Sequence, residues 1–426
     1  MTNPRSWPRE RLATTLVALV AIAVIGVLVG LGARGHAASA PRGAAAAPER
    51  PCAGATDAVA RSLAYVVARR LRDEEHRGDT VSRARHSISA DRVLARAVAR
   101  GDAAAARREA LVLLFNHEHI VRLRVLRAGR PLADVGGKLV LTPVFATLRV
   151  GARVVGSVEF SVQDDMGYRL LTRRLVGIAT VMRYRGRVLM ANIGIGGRAL
   201  PFRGTARIGS RRYLVATITT GHFPTGTLRI SLLIPAPAPA LARRSCPQVR
   251  AQLFAQITRR VYGESLHGPA ALSGRASVHA SVLLPAAVAA GRRGQVRGSV
   301  RRLLRAGHLV RLRAVGRGGR VLADAGIGAP VLAPIDVPLR RHGRTVGHAL
   351  LGVQSANGFV GVASYLTGAD VLVRAGDRQL AGRVRGPAAV PRSGALVWRG
   401  RRWHIASFTA TRFPSGPVRV YVLSAG

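Results

Sequence analysis

The chain contains the stretch His119-Ile120-Val121-Arg122-Leu123-Arg124 and repeats it about 190 residues later as His308-Leu309-Val310-Arg311-Leu312-Arg313. Other matches keep the same order and nearly the same offset; they include Leu132-Ala133-Asp134 with Leu322-Ala323-Asp324, and Phe223-Pro224-Thr225-Gly226 with Phe413-Pro414-Ser415-Gly416. This period is too long for a solenoid. The sequence therefore predicts one domain-sized unit that occurs twice.

Each unit opens with a helical pattern and continues with a period of two. Val59, Leu63 and Val66 fall at helical spacing behind Thr56, the predicted N-cap. Residues 121–125 alternate apolar side chains with arginine, which is typical of a strand. We therefore predict an α+β fold: two tandem repeats, each with a long N-terminal helix followed by an antiparallel sheet of five or more strands.

The first residues predict where the protein is located. Three arginines within residues 1–11 precede an uncharged apolar run at residues 12–31, which is long enough to cross the ~30 Å hydrocarbon core. Basic residues before the span predict a single transmembrane anchor, with residues 1–11 in the cytoplasm and the bulk of the chain extracytoplasmic. A cleaved signal peptide, with Ala38-Ser39-Ala40 at the cleavage site, is the alternative.

Composition divides the remaining chain. We predict a linker at 35–51, a first domain at 52–235, an extended Pro/Ala linker at 236–245 and a second domain at 246–426.

The chain is strongly basic. Its 426 residues include 66 Lys plus Arg, of which only Lys138 is lysine, against 20 Asp plus Glu, so the net charge is +46. Two interpretations are open: an ordinary solvated surface enriched in arginine by GC-rich codon usage, or a surface that binds a polyanion. An extracytoplasmic location argues against nucleic acid as the partner.

The order of these elements resembles the Cache family of extracytoplasmic, PAS-like sensor domains. The resemblance rests on the long helix, the apolar strand, the Gly turn and the Leu-Ala-Asp that follows. It also rests on Val155-Gly156 and Val346-Gly347, each just before an apolar strand. The resemblance implies tandem Cache-like domains that bind a small ligand, often an amino or carboxylic acid, over the sheet. The family's amino-acid-binding motif of spaced Tyr, Arg, Trp and Asp is not recognisable in this sequence.

Paired arginines are the main candidate ligand-binding residues. Arg122 and Arg124 lie two residues apart on a predicted strand and share one face, as do Arg311 and Arg313. Two guanidinium groups can bind a carboxylate or phosphate through bidentate hydrogen bonds. The alternative is a solvated sheet face.

The remaining candidates are acidic and aromatic. Asp134 and Asp324 follow the hairpin turn and are placed to bind a ligand amine or local backbone N–H groups. Asp164, which has no acidic counterpart in the second unit, is a candidate specific to the first. Tyr184 is a candidate pocket residue, with a core position as the alternative.

Two cysteines, Cys52 and Cys246, each precede the first helix of a unit. In an oxidising compartment they can form a disulfide with each other, provided that the helices pack side by side, or with another chain.

We expect no catalytic activity, because no nucleophile, metal-binding or phosphate-binding motif occurs. We expect no cofactor and no metal. The predicted function is a membrane-anchored, sensor-like protein that binds a small anionic or amino-acid-like ligand and relays through a signalling partner. The alternative is a structural or adhesion protein that binds cell-envelope polyanions through arginine.

Overall fold

We analysed a computed structural model of the chain. The structure describes residues 49–117, 120–137, 141, 143–162, 165–223, 226–306 and 309–426. Within these ranges, no helix has both the length and the apolar composition that a membrane crossing requires. The predicted anchor at 12–31 and the candidate Asp164 lie outside the described residues.

Ten α-helices are described. They are α1 (Thr56–Arg77), α2 (Asp79–Ala90), α3 (Arg92–Arg100), α4 (Ala103–Asn116), α5 (Asp165–Leu171), α6 (Cys246–His267), α7 (Pro269–Ala280), α8 (Leu283–Ala289), α9 (Arg293–Ala306) and α10 (Ala356–Thr367). A π-helical turn, Thr172–Val176, extends α5, and short 3-10 turns lie at Pro239–Arg243 and Arg317–Gly319.

The strands of the first half are β1 (Arg122–Arg127), β2 (Arg130–Gly136), β3 (Val144–Val150), β4 (Arg153–Ser161), β5 (Ala179–Tyr184), β6 (Arg187–Ala191), β7 (Arg203–Ile208), β8 (Arg211–Gly221) and β9 (Thr227–Pro235). Those of the second half are β10 (Arg311–Gly316), β11 (Val321–Gly326), β12 (Val331–Leu332), β13 (Ile335–Arg341), β14 (Arg344–Gly352), β15 (Gln354–Ser355), β16 (Asp370–Ala375), β17 (Arg378–Gly382), β18 (Ser393–Trp398), β19 (Arg401–Thr411) and β20 (Pro417–Ala425).

The strands form antiparallel sheets, which confirms the α+β class. The first half has a four-stranded sheet in the order β2-β1-β4-β3 and a five-stranded sheet in the order β6-β5-β9-β8-β7. The second half has the orders β11-β10-β14-β13 and β17-β16-β20-β19-β18, together with the short pair β12-β15. The prediction of one sheet per unit was wrong, because helix α5 or α10 interrupts the strands and a second sheet begins after it.

Each four-stranded sheet has its own apolar core, built with the short helices that precede it. In the first half, Leu94 and Val98 of α3 pack with Leu123 and Val125 of β1. Asp91 caps α3 by accepting hydrogen bonds from two backbone N–H groups of its first turn. The opposite face of each sheet is left uncovered by these helices.

The two five-stranded sheets share a single core. Helices α1, α6 and α10 and buried residues of both sheets belong to one continuous cluster, so the halves meet around a common interior. The predicted division into separate domains on either side of linker 236–245 does not describe this part of the chain. The linker is also not extended throughout, because Pro239–Arg243 is a 3-10 turn in which Leu241 packs against Cys52 and Val249.

The contacts between the halves are reciprocal. Arg70 of α1 donates to the backbone oxygens of Tyr365 and Leu366 at the end of α10, at 2.9 and 3.1 Å. In the opposite direction, Arg260 of α6 lies against Gly177, which ends the helical segment after α5. Arginine near the carboxyl end of a helix is stabilising, because it satisfies carbonyls and opposes the helix dipole.

A disulfide joins the starts of the two long helices. Cys52 and Cys246 are bonded to each other, with their Cα atoms 4.7 Å apart. Beside the bond, the backbone N–H of Cys52 donates to the carbonyl of Arg244 at 2.7 Å. Thr56, predicted to be the N-cap of α1, is instead its first residue, and its hydroxyl donates to the carbonyl of Cys52.

We predict that Gly368→Ala lowers the free energy of unfolding by more than Gly376→Ala. Both glycines have positive φ, +73° and +56°, which costs an alanine about 1–2 kcal/mol. A Cβ atom at Gly368 would also lie 2.8 Å from Nη1 of Arg70, whereas one at Gly376 meets nothing within 4 Å. Displacing Arg70 should cost about 1–2 kcal/mol more, because its hydrogen bonds to α10 are lost.

The measurement is denaturant unfolding of the full chain in detergent. Equal losses in the two variants would mean that the contact between Arg70 and α10 contributes nothing to stability.

Candidate functional site

The face of the first four-stranded sheet that points away from the short helices that precede the sheet carries the predicted arginine pair. Arg122 donates from Nε and Nη2 to the two carboxylate oxygens of Asp134, at 2.9 and 2.8 Å. Arg124 lies directly opposite Asp134 in the strand register. The two arginines therefore share one face, as predicted, and Asp134 occupies the bidentate position on Arg122 that was expected for a ligand.

The second half repeats this arrangement. Asp324 accepts two hydrogen bonds from Arg311, both at 3.0 Å, and two more from Arg313, at 3.0 and 2.6 Å. Burial raises the pKa of Asp324, but the hydrogen bonds and charges of the two arginines outweigh burial and bring its pKa below the usual value. Asp324 is thus an ionised partner of both arginines.

Two phenylalanines lie against these arginines, and the sequence analysis assigned them no role. The guanidinium carbon of Arg122 lies 4.5 Å from the ring centre of Phe223, and that of Arg311 lies 5.1 Å from the ring centre of Phe413. Each phenylalanine follows the long strand, β8 or β19, of its five-stranded sheet. The repeated Phe-Pro-Thr/Ser-Gly motif was the available sequence signal for this contact between the two sheets of each half.

Tyr184 also lies at this junction in the first half. Its ring stacks on that of His222, with centroids 4.3 Å apart. Burial, and then the charge of Arg122, lower the pKa of His222, which therefore favours the neutral ring. The structure thus brings Arg122 and Tyr184 into one neighbourhood through His222 and Phe223.

The arginine-bearing sheet faces of the two halves differ in charge at one equivalent position, which is Glu159 in the first half and Leu350 in the second. Glu159 lies opposite Arg124 on β4, is 3% exposed, and has a carboxylate oxygen 3.8 Å from Nη1 of Arg124. Its pKa is raised by burial, although Arg124 opposes the shift. At the equivalent place in the second half, Leu350 lies opposite Arg313. In the second half the residue opposite Arg313 is therefore apolar, and the second carboxylate of the face, Asp336, lies one strand further away, opposite Leu350.

A cavity of about 420 Å³ opens on the second face, beside Arg313. It is lined by Val315, Gly316, Arg317, Gly318, Gly319, Asp336, Thr345, Gly347, His348 and Leu350. A carboxylate oxygen of Asp336 lies 3.0 Å from Nδ1 of His348, and Arg317 donates from Nε and Nη2 to the carbonyl of Thr345. The cavity lining thus presents the carboxylate of Asp336 and the guanidinium of Arg317. Leu350, also in the lining, lies between Asp336 and Arg313 in the strand register.

A second cavity, of about 580 Å³, adjoins the first at Arg317. Its polar lining consists of Arg317, Arg341, His342 and Arg344, and its apolar lining of Val288, Ala289 and Val346. Among the described lining residues there is no acid, so the cavity concentrates positive charge.

Within the described ranges, no group of three or more His, Cys, Asp or Glu side chains is placed to hold a metal ion. No protein-family model and no curated protein matches the chain.

We predict that Asp324→Asn lowers the free energy of unfolding by about 1–2 kcal/mol at pH 7, because two arginines lose their charged acceptor while staying partly exposed to water. Because the pKa of Asp324 is depressed on folding, its stabilisation is present above about pH 4 and is lost as the pH falls through the folded value. The difference between variant and wild type should therefore vanish in acid.

Unfolding of the full chain in detergent, followed from neutral to acid pH, tests this prediction. Asp377→Asn, at an exposed turn, is the control. A difference that does not change with pH would contradict the assignment.

Proposed function

We propose that the protein is a membrane-anchored, extracytoplasmic, sensor-like protein made of tandem Cache-like units. In this proposal it binds a small anionic or amino-acid-like ligand, and a partner protein carries the signal onward. The uncharged run at 12–31 and the resemblance of both units to Cache domains support the proposal. The matching strand orders of the two halves are what a duplicated unit would produce.

The observation that carries the proposal is the cavity of about 420 Å³ on the second four-stranded sheet. Its volume falls in the range of small-molecule sites, about 300–1,000 Å³. Arg317 suits a ligand carboxylate, Asp336 suits an ammonium group, and Leu350 supplies an apolar contact. An amino acid has this combination of charges.

Contacts next to the cavity offer a route for the signal. Arg313 lies opposite Leu350 in the register and 5.6 Å from the ring centre of Phe413, a buried residue two positions after the end of β19. If the contact between Arg313 and Phe413 has two arrangements, a ligand that binds one of them more tightly would favour it and shift the packing of the adjoining five-stranded sheet. Such a shift is the kind of change that a partner could read.

The test is isothermal titration of the full chain in detergent with a panel of amino acids and dicarboxylic acids. We predict that Asp336→Asn weakens the binding of an amino acid at least about tenfold, or 1.4 kcal/mol, because the ammonium group loses its counter-charge. Asp377→Asn, outside the cavity, should leave the affinity unchanged.

Flat heats with every ligand would contradict ligand binding. Equal effects of the two substitutions would instead contradict the cavity as the site.

A second function is favoured by the larger cavity. We propose as the alternative that the protein adheres to cell-envelope polyanions, with Arg341, Arg344 and Arg317 as the binding groups. Exposed arginines in a cavity whose described lining contains no acid attract a chain of negative charges and release its counterions.

The alternative predicts salt-sensitive binding of inorganic polyphosphate. The double substitution Arg341→Gln, Arg344→Gln should reduce the slope of log affinity against log salt by about 1–2, because two charge contacts are lost. The control Arg297→Gln, Arg301→Gln on the exposed side of α9 makes the same change in net charge outside the cavity. Equal slopes for the two double variants would contradict a specific polyanion site.

A further inference from the structure

The described chain begins, crosses between halves and ends at one end of the molecule. Pro51 forms a bridge with Ser245 beside the Cys52–Cys246 disulfide. A carboxylate oxygen of Glu49 lies 3.4 Å from Nε of Arg402. The backbone N–H of Gly426 donates to the carbonyl of Arg402 at 3.0 Å. We call this end, defined by Glu49, the disulfide and Gly426, the entry end.

Two β-hairpins flank the entry end. The hairpin β18–β19 lies beside Glu49, because Arg402 pairs with Val397 across it. The hairpin β7–β8 lies beside the start of α1, because Arg212 binds Asp57 at 2.8 Å and pairs with Arg207. Both hairpins therefore turn next to the segment that leads back to the N-terminus.

The tip of hairpin β18–β19 combines exposed apolar and cationic side chains. Val397 is 69% exposed, and the next residue, Trp398, is partly exposed, with its ring centre 5.8 Å from that of Trp403. The guanidinium carbon of Arg399 lies 4.7 Å from the ring centre of Trp398, and that of Arg401 lies 5.3 Å from the ring centre of Trp403. Residues 393–403 contain three arginines and no acid. Of these arginines Arg402 pairs with Glu49, whereas Arg399 and Arg401 are exposed and lie against tryptophan rings.

Hairpin β7–β8 adds charge without the apolar tip. Residues 203–213 contain four arginines and no acid, and Arg207 and Arg211 are exposed. Ile208, by contrast, packs against the core of its own sheet. The two hairpins thus give the entry end one exposed apolar tip, at Val397, and exposed arginines on each hairpin.

We propose that the entry end rests on the membrane surface, with Val397 and Trp398 inserted at the lipid–water interface and the arginines of both hairpins over anionic lipid headgroups. The inference rests on the proposed membrane anchor. Tryptophan is enriched at membrane interfaces, and each arginine near an anionic surface contributes about 1 kcal/mol. Glu49, the first described residue, lies at the entry end and follows the proposed anchor at 12–31 by 18 residues.

This orientation directs the candidate sites away from the membrane. Helices α1 and α6 each have 22 residues and run from the entry end for about 33 Å. The four-stranded sheets and their helices follow the far ends of α1 and α6. In the docked orientation both cavities of the second half therefore face the surrounding solution.

The experiment measures the depth of a single tryptophan. The full chain carrying Trp7→Phe and Trp403→Phe, which leaves Trp398 alone, is reconstituted in vesicles of phosphatidylcholine and phosphatidylglycerol with brominated acyl chains. We expect the emission of Trp398 to shift to shorter wavelength and to fall by roughly half, because the ring lies at the interface. The fall should be smaller in pure phosphatidylcholine.

The matched control places the single tryptophan at the opposite end of the molecule from the entry end. In the background Trp7→Phe, Trp398→Phe, Trp403→Phe, the substitution Val282→Trp places the ring at a site that is 81% exposed and follows α7. Its emission should be unquenched in the same vesicles. An unchanged unfolding midpoint in each variant shows that the fold is retained.

The possible results separate membrane docking of the entry end from membrane anchoring of the chain. Quenching of Trp398 without quenching of the ring introduced by Val282→Trp supports docking. If the chain sediments with the vesicles but Trp398 is unquenched, or both positions are quenched equally, docking is contradicted and the membrane anchor is still supported. A chain that stays in solution overturns both. Equal quenching with and without phosphatidylglycerol overturns the role given to the arginines. None of these results depends on the titration with amino acids.

Discussion

The packing of helices α1 and α6 within one apolar core is the constraint on which the rest of the structure depends. Both helices bury small residues in this core: Ala60, Ala64 and Ala68 lie four apart on α1, and Ala251 and Ala255 lie four apart on α6. With only 4% aromatic residues in the chain, this interior is built mainly from aliphatic side chains, with a few buried rings such as Tyr168 and Phe359. Both five-stranded sheets and helix α10 then close over this pair.

Scarce carboxylates organise the surfaces that surround this core. Glu264 of α6 binds Arg174 in the other half, with its Oε1 2.8 Å from Nε of that arginine. Asp134 and Asp324 bind arginines on the outer sheet faces in the same manner. The chain has 66 basic residues and only 20 acidic ones, so most arginines have no carboxylate available to pair with. Arginines outnumber carboxylates at the larger cavity and at the entry end, where the proposed partners are anionic.

Part of the candidate site follows from sequence. Two arginines two residues apart on a strand share a face, and an aspartate just beyond a short hairpin turn faces back across the strand pair. The cavity could not be foreseen, because Asp336 and His348 meet only through the register of β13 against β14. A shift of one residue in that register would place Asp336 on the buried face. Likewise, Phe223 and Phe413 reach the arginines only because the second sheet of each half folds back against the first.

The sequence alone determined the α+β class, the helical opening of each half, the strand that carries each arginine pair and the placement of one cysteine before each long helix, because these depend on local periodicity and turn chemistry. Tertiary structure decided that each half contains two sheets and that the inner pair shares a core. It also decided that the arginines bind aspartates of their own chain and that the cysteines bond to each other. Those outcomes depend on contacts between residues far apart in the chain. The periodicity of a segment shows which of its faces is apolar, but not which other helix or sheet that face packs against.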